Sequence, residues 1–183
     1  MYIPDLIKKE GLRRGLSLRT INTYSNCVER FLKANKNKDL KDISKNDVKI
    51  YIDKLIEKKA AGNTINVYLN SIKFLMENIL GRRLMYKIKY SKIPKTLPTV
   101  LTKEEVKNLF NAIDNEKHKL MIKLMYSSGL RVSELINLRI KDFEFSKSYG
   151  WVRKGKGSKD RLFIVAENLS KNLQEFIEKN NLN

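Results

Sequence analysis

The chain has 183 residues, enough for one domain or two small ones with a modest apolar core. Its 38 Lys and Arg face only 20 Asp and Glu, a formal net charge of +18 that points to a polyanionic partner; residues 1–98 hold 22 of the basic and 9 of the acidic side chains, so that half supplies most of the attraction. A single cysteine, Cys27, and a single histidine, His118, leave no basis for an internal disulfide, a cysteine metal cluster or a Ser-His-Asp device, and no apolar run approaches the roughly 20 residues of a membrane span.

In chain order, Ile21, Tyr24, Val28, Phe31 and Leu32 recur at helical spacing, so a helix is expected over about 17–35, capped near Ser17. Cys27 shares that apolar spacing and reads as a core residue. Ser44 precedes Asp47 and the apolar positions Val48, Tyr51, Ile52, Leu55 and Ile56, an N-cap with an acid in the first turn, and the helix runs to about Lys59. Ala61-Gly62-Asn63 breaks it. Thr64 is expected to open a third helix carrying Ile65, Leu69, Ile72, Leu75, Met76 and Ile79, with Gly81 as its stop. A short fourth helix fits around Asp5–Leu12 or Arg82–Lys87. Residues 87–98 interleave Lys87, Lys89, Lys92 and Lys95 with Pro94 and Pro98 and read as a basic linker.

Beyond the linker, Thr102-x-x-Glu105 is a capping-box pattern ahead of Val106, Leu109, Phe110 and Ile113. A helix over about Lys117–Ser128 ends at Gly129, and Val132, Leu135, Ile136 and Leu138 mark a short helix just after Arg131. From Asp142 the period changes to two. Phe143 and Phe145, Trp151-Val152 and Leu162–Val165 read as three antiparallel strands, with turns at Ser146–Gly150 and Lys154–Asp160, before a last helix over Glu167–Lys179.

Arg131 follows a glycine break and starts a helix whose amides also face outward, which suits a bidentate grip on two phosphate oxygens. The competing reading is an arginine that only pairs with Glu134, and on Gly-Leu-Arg alone that reading prevails. Lys156 sits at a hairpin tip crowded with Arg153, Lys154, Lys159 and Arg161; phosphate contact suits the group, while charge alone assigns no separate chemistry to one lysine. Gly150-x-x-x-x-Gly155-Lys156 is not a nucleotide phosphate loop, because Gly157 stands where Ser or Thr is required and a strand follows where a helix is required. Nearer the amino terminus, Arg19, Lys59, Asn63, Thr64 and Asn66 lie at helix starts and ends and suit phosphate and base-edge contacts; singly each reads as a solvated residue, and together they favour DNA.

These residues resemble a tyrosine recombinase of the Xer or phage-integrase type. The resemblance rests on Ser17-x-Arg19-Thr20-x-x-x-Tyr24, Asn63-Thr64-Ile65-Asn66, Leu97-Pro98-x-x-Leu101-Thr102, Gly129-Leu130-Arg131-Val132-Ser133-Glu134-Leu135 and Gly155-Lys156-Gly157-Ser158-Lys159-Asp160-Arg161. It implies a mainly α fold with a small antiparallel β-sheet: a helical, SAM-like core-binding domain over 1–83, a basic linker over 84–98 and the first part of a catalytic domain over 99–183. It further implies a tyrosine that attacks the scissile phosphate and leaves a 3′-phosphotyrosyl link. Arginines stabilise the transition-state charge and a lysine protonates the leaving oxygen, without metal or other cofactor. By resemblance Arg131 is the first arginine, Lys156 the general acid and Glu134 the partner that orients Arg131. Arg19, Lys59, Asn63, Thr64, Asn66, Lys154, Lys159 and Arg161 are expected at DNA.

The chain departs from the pattern after the hairpin. Residues 157–183 contain no His, Trp or Tyr, and Tyr149 is the last of eight tyrosines. The family's His-x-x-Arg and nucleophilic Tyr have no counterpart in these positions, so the expectation is a truncated set that binds double-stranded DNA in the cytoplasm, at the nucleoid, without cleaving it. The alternative is a non-enzymatic regulator that occupies recombination sites. Partners on the DNA would be further copies or an intact recombinase, and no membrane; a helical protein-interaction module with incidental charge is a third option.

Overall fold

Ser17, Ser44 and Thr102 each begin a helix, as hydroxyl side chains ahead of amphipathic runs are suited to do. The computed structural model describes residues 2–85, 88–93, 97–153, 155 and 159–182, and the chain divides by its internal contacts into two compact units, Met1–Leu97 and Pro98–Asn183. It is mainly helical with one three-stranded antiparallel sheet.

The first unit contains α1 (Ile3–Arg13), α2 (Leu18–Ala34), α3 (Lys45–Glu57) and α4 (Gly62–Lys73), the last continuing as a π-helical segment over Phe74–Ile79. Of the two places offered for an extra helix, the amino-terminal one is taken. The Ser17 hydroxyl accepts the Thr20 N–H at 3.2 Å, and α2 turns Ile21, Cys27, Val28 and Phe31 into the core. That core adds Ile7 from α1, Val48 and Tyr51 from α3, and Ile65, Leu69 and Ile72 from α4, with Phe31, Tyr51 and Tyr68 meeting edge-on. Full burial of a side chain such as Phe31 contributes about 1.5–3 kcal/mol.

α4 opens two residues earlier than the expected Thr64, at Gly62. The reversal before it belongs to Lys59, at φ 56°: Lys59 N–H bonds the Ile56 carbonyl at 2.8 Å and Ala60 N–H bonds the Leu55 carbonyl at 3.0 Å, a Schellman stop with lysine where glycine is usual. Gly81, at φ 67°, ends the helical run as expected. Packing of this unit continues past residue 83. Met85 is buried in the same core, Arg82 donates to the carbonyls of Leu40 and Ile43 at 2.6 and 2.9 Å, and Tyr90 donates to Asn70 at 2.8 Å. Within the expected linker, Met85 and Tyr90 are thus tied to this unit, whereas Leu97 is 95% exposed.

The second unit contains α5 (Lys103–Asn111), α6 (Glu116–Ser128), α7 (Val132–Leu135), β1 (Phe143–Glu144), β2 (Tyr149–Val152), β3 (Arg161–Ile164) and α8 (Glu167–Lys179). The capping box at Thr102 and Glu105 is present in both directions, and Gly129 ends α6 in the left-handed region. The sheet runs β1-β2-β3, with Gly150 opposite Phe163 and Trp151 opposite Leu162. Pleating sends Val152, Arg161, Phe163 and, beyond the strand, Val165 toward the core formed with Leu120, Leu124, Leu130, Leu135 and Leu169. Gly150 is a strand residue, not part of the expected turn. A methyl there would meet the Phe163 ring at 2.4 Å, and the β1–β2 connection is made instead by a 3-10 turn at Phe145–Lys147 with Ser148 at φ 54°.

Candidate functional site

The site is built where α6 stops. Gly129 at φ 59° reverses the chain, Leu130 buries its side chain, and Arg131 stands extended ahead of α7. Arg131 gives its backbone N–H to Oε2 of Glu134 at 3.0 Å and its Nη1 to Oε1 at 2.7 Å. The Glu134 side chain is 4% exposed and that of Arg131 is 59% exposed, so the carboxylate is a buried anchor and the guanidinium reaches solvent. Among the described residues, Nε and Nη2 of Arg131 have no protein partner. That side-on edge is the geometry that grips two oxygens of a phosphodiester. The helix start itself adds little to the expected guanidinium fork: α7 has four residues, and Glu134 takes the N–H of Arg131.

A second arginine joins the same carboxylate. Arg161 donates Nη2 to Glu134 Oε2 at 2.8 Å and to the Gly129 carbonyl at 3.2 Å. Strand alternation explains its presence, because Arg161 lies opposite Val152 on the inner face of the sheet, two residues before Phe163. The Arg131 N–H, then the two guanidinium hydrogen bonds, hold the Glu134 carboxyl at about 2 against its ordinary 4.5, while burial opposes them. The hairpin foot lies over the same group: Gly155 N–H bonds the Lys159 carbonyl at 3.0 Å, and a methyl on Gly155 would stand 3.5 Å from Glu134 Oε1. On the same leg as Gly155, which leaves β2, Arg153 Nε approaches the buried Asp142 at 3.4 Å, so each leg of the hairpin carries an arginine beside a buried carboxylate. Lys156 and Lys154 lie outside the described residues; Lys159 is exposed.

In the helical unit Arg19, Lys59, Asn63 and Thr64 are all exposed at the helix ends where the sequence puts them. Asn66 already carries two hydrogen bonds within the unit. Its Nδ2 donates to the Ser91 carbonyl at 3.0 Å and its Oδ1 accepts the Ser91 N–H at 2.8 Å, so both amide atoms tie residues 88–93 to α4. Arg30, which the sequence did not single out, follows Arg19, Thr23 and Asn26 on one face of α2. Arg30 donates to the Tyr68 hydroxyl at 3.3 Å beside a cleft of about 220 Å³ lined by Thr23, Asn26, Cys27, Arg30 and Tyr68. The signal was available in the spacing of four polar residues opposite the apolar stripe.

Comparison with known proteins turns this arrangement into a family assignment. Residues 7–85 match the profile described as "Phage integrase, N-terminal SAM-like domain", and residues 99–183 match that of the phage integrase family. The chain belongs to the phage integrase family. It is 34% identical to tyrosine recombinase XerA of Pyrococcus horikoshii over 166 residues, covering 90% of this chain and 56% of that protein. It is 34% identical to the XerA recombinase of Pyrococcus furiosus as well, over 169 residues, covering 90% and 57%. This integrase-family chain thus spans a little over half the length of these curated relatives. Among solved structures, lambda integrase, crystallised as a tetramer bound to a Holliday junction, superposes with a TM-score of 0.76 at 15% identity, over 95% of this chain and 53% of that one. The Tn1549 transposon integrase in complex with transposon right end DNA gives 0.69 at 18% identity, over 98% and 65%. At these identities the likeness is one of fold.

Proposed function

We propose that this chain binds duplex DNA in the manner of a tyrosine site-specific recombinase, with Arg131 gripping a single phosphodiester. The observation that carries the reading is Arg131 itself: a half-exposed guanidinium whose Nη1 is fixed by a buried carboxylate and whose Nε–Nη2 edge has no partner among the described residues. A cation held in place before a phosphate arrives stabilises the charge that builds on the phosphorus oxygens in phosphoryl transfer, because no reorganisation is needed at that moment. The basic excess of residues 1–98 supports the helical unit as the main source of attraction, with Arg19, Lys59, Asn63 and Thr64 at its exposed helix ends and Arg30 on the polar face of α2. Lys154, Lys156 and Lys159 bring further charge to the hairpin, and the family resemblance makes Lys156 the proton donor to the leaving oxygen. On this proposal the division of labour is a DNA-binding domain over 1–83 and a partial catalytic domain over 99–183. All eight tyrosines precede Lys156 in the chain, whereas the resemblance expects the nucleophile after it, so the 183 residues hold a phosphodiester without cleaving it.

The test is equilibrium binding of the protein to a duplex of about 30 base pairs over a salt series, together with incubation on a nicked suicide duplex. Steep weakening with rising salt and no covalent adduct are expected. Shallow salt dependence would favour the protein-interaction module, and a protein–DNA adduct would overturn the claim that these residues do not cleave.

A further inference from the structure

Arg131 and Arg161 share one carboxylate, and the arithmetic of charge gives that sharing a consequence. A buried glutamate facing a single arginine makes a neutral pair, and the arginine's pull on an outside anion is cancelled. Glu134 faces two. Its Oε1 takes Arg131 Nη1, its Oε2 takes Arg161 Nη2 and the Arg131 N–H, and the cluster is left with one net positive charge. Arg161 is the inner member, its side chain 37% exposed against 59% for Arg131. The same Nη2 reaches the Gly129 carbonyl, in the turn that sets the direction of Arg131.

We propose that Arg161 is a positioning residue for Arg131: it shares the Glu134 carboxylate so that Glu134 orients Arg131 without neutralising it, and it ties the start of β3 to the Gly129 turn. The inference rests on the reading that Arg131 grips a phosphodiester. Arg161 therefore acts through Arg131 and Glu134 rather than as one more independent contact to DNA, which is how its place in the basic hairpin would otherwise be read. Gly155, whose Cβ position is 3.5 Å from Glu134 Oε1, keeps the other foot of the hairpin close to the same carboxylate without adding a side chain.

A double-mutant cycle on duplex affinity tests this, using the 183-residue protein, Arg131→Gln, Arg161→Gln and the double variant, each checked by thermal unfolding. Each single change is expected to weaken binding about five- to tenfold, and the double variant should bind within about twofold of the weaker single one. The salt slope falls by about 0.9 in Arg131→Gln and no further in the double variant. In Arg161→Gln the Glu134 carboxyl, followed by carbon-13 NMR, moves up from about 2 toward its ordinary range. If the losses instead multiply and the slope of the double variant falls by about 1.8, Arg161 is an independent phosphate contact and the proposal is wrong. An Arg161→Gln protein that binds as wild type also overturns it, whereas an Arg131→Gln protein that binds as wild type overturns the phosphodiester reading beneath it. Should Arg161→Gln fail to fold, Arg161→Lys takes its place in the cycle. Its single ammonium reaches Glu134 or the Gly129 carbonyl rather than both, and the same criterion applies: a coupled loss supports the proposal and an additive one sinks it.

Discussion

Asp47 in the helical unit and Glu134 in the second unit are both buried carboxylates in the first turn of a helix, and each accepts the backbone N–H of the residue that precedes it, Ser44 or Arg131. Both are held at about 2, Asp47 from 3.8 and Glu134 from 4.5. Their partners differ. Asp47 takes the Lys38 ammonium at 2.6 Å and the Ser44 hydroxyl at 2.7 Å, one positive charge for one negative, and the cap serves the helix alone. Glu134 takes two guanidinium groups, one of which keeps an edge toward solvent. The same local device gives a structural cap in one place and a preset cation in the other, and the difference lies in the count of positive partners, not in the capping geometry.

The strongest way to break this comparison is to neutralise each carboxylate. Glu134→Gln leaves two arginines facing each other across a buried amide and is expected to cost about 3–4 kcal/mol in chemical unfolding, with duplex affinity reduced as well. Asp47→Asn keeps an acceptor for Ser44 and loses only the Lys38 pairing, so about 1–2 kcal/mol is expected with duplex affinity unchanged. Equal effects of both on affinity would remove the distinction.

Acid sharpens it. Both carboxyls titrate lower in the folded chain than in the unfolded one, so the folded chain binds fewer protons and both stabilise it fully above about pH 4.5. That contribution is lost as pH falls from there toward about 2. Glu134→Gln and Asp47→Asn are each expected to flatten the acid limb of an unfolding-against-pH curve. The smallest expected effect is at the third cap of this kind. Thr102→Ala removes the hydroxyl that accepts Glu105 N–H at 3.2 Å and should cost about 1 kcal/mol in thermal unfolding, with affinity untouched.

Much of the fold was legible because it is written in local signals. Ser17, Ser44 and Thr102 mark helix starts by side-chain chemistry, Gly129 marks a stop by its left-handed backbone, and the change of period after Asp142 marks the sheet. What escaped depends on neighbours distant in sequence, except at Lys59, whose stop is local but has no glycine to mark it. Lys59 occupies a glycine's conformation, Gly150 is required by the Phe163 ring across the strand, and Asn66 spends its amide on Ser91, 25 residues away. Within the site, Arg131 and its pairing with Glu134 were readable from a three-residue spacing, whereas Arg161 looked like one charge among many at a hairpin. Counting back from Phe163 by the strand period places Arg161 on the core side, and a core-facing arginine calls for a buried acid.

The most direct measurement is the salt dependence of duplex binding by Arg131→Ala beside wild type, with the unfolding temperature of each. The account predicts several-fold weaker binding, a log–log salt slope shallower by about 0.9, and an unfolding temperature within a few degrees of wild type. Superimposable binding lines, or a loss of affinity that comes only with a large fall in unfolding temperature, would leave Arg131 a structural partner of Glu134 and contradict the phosphodiester grip.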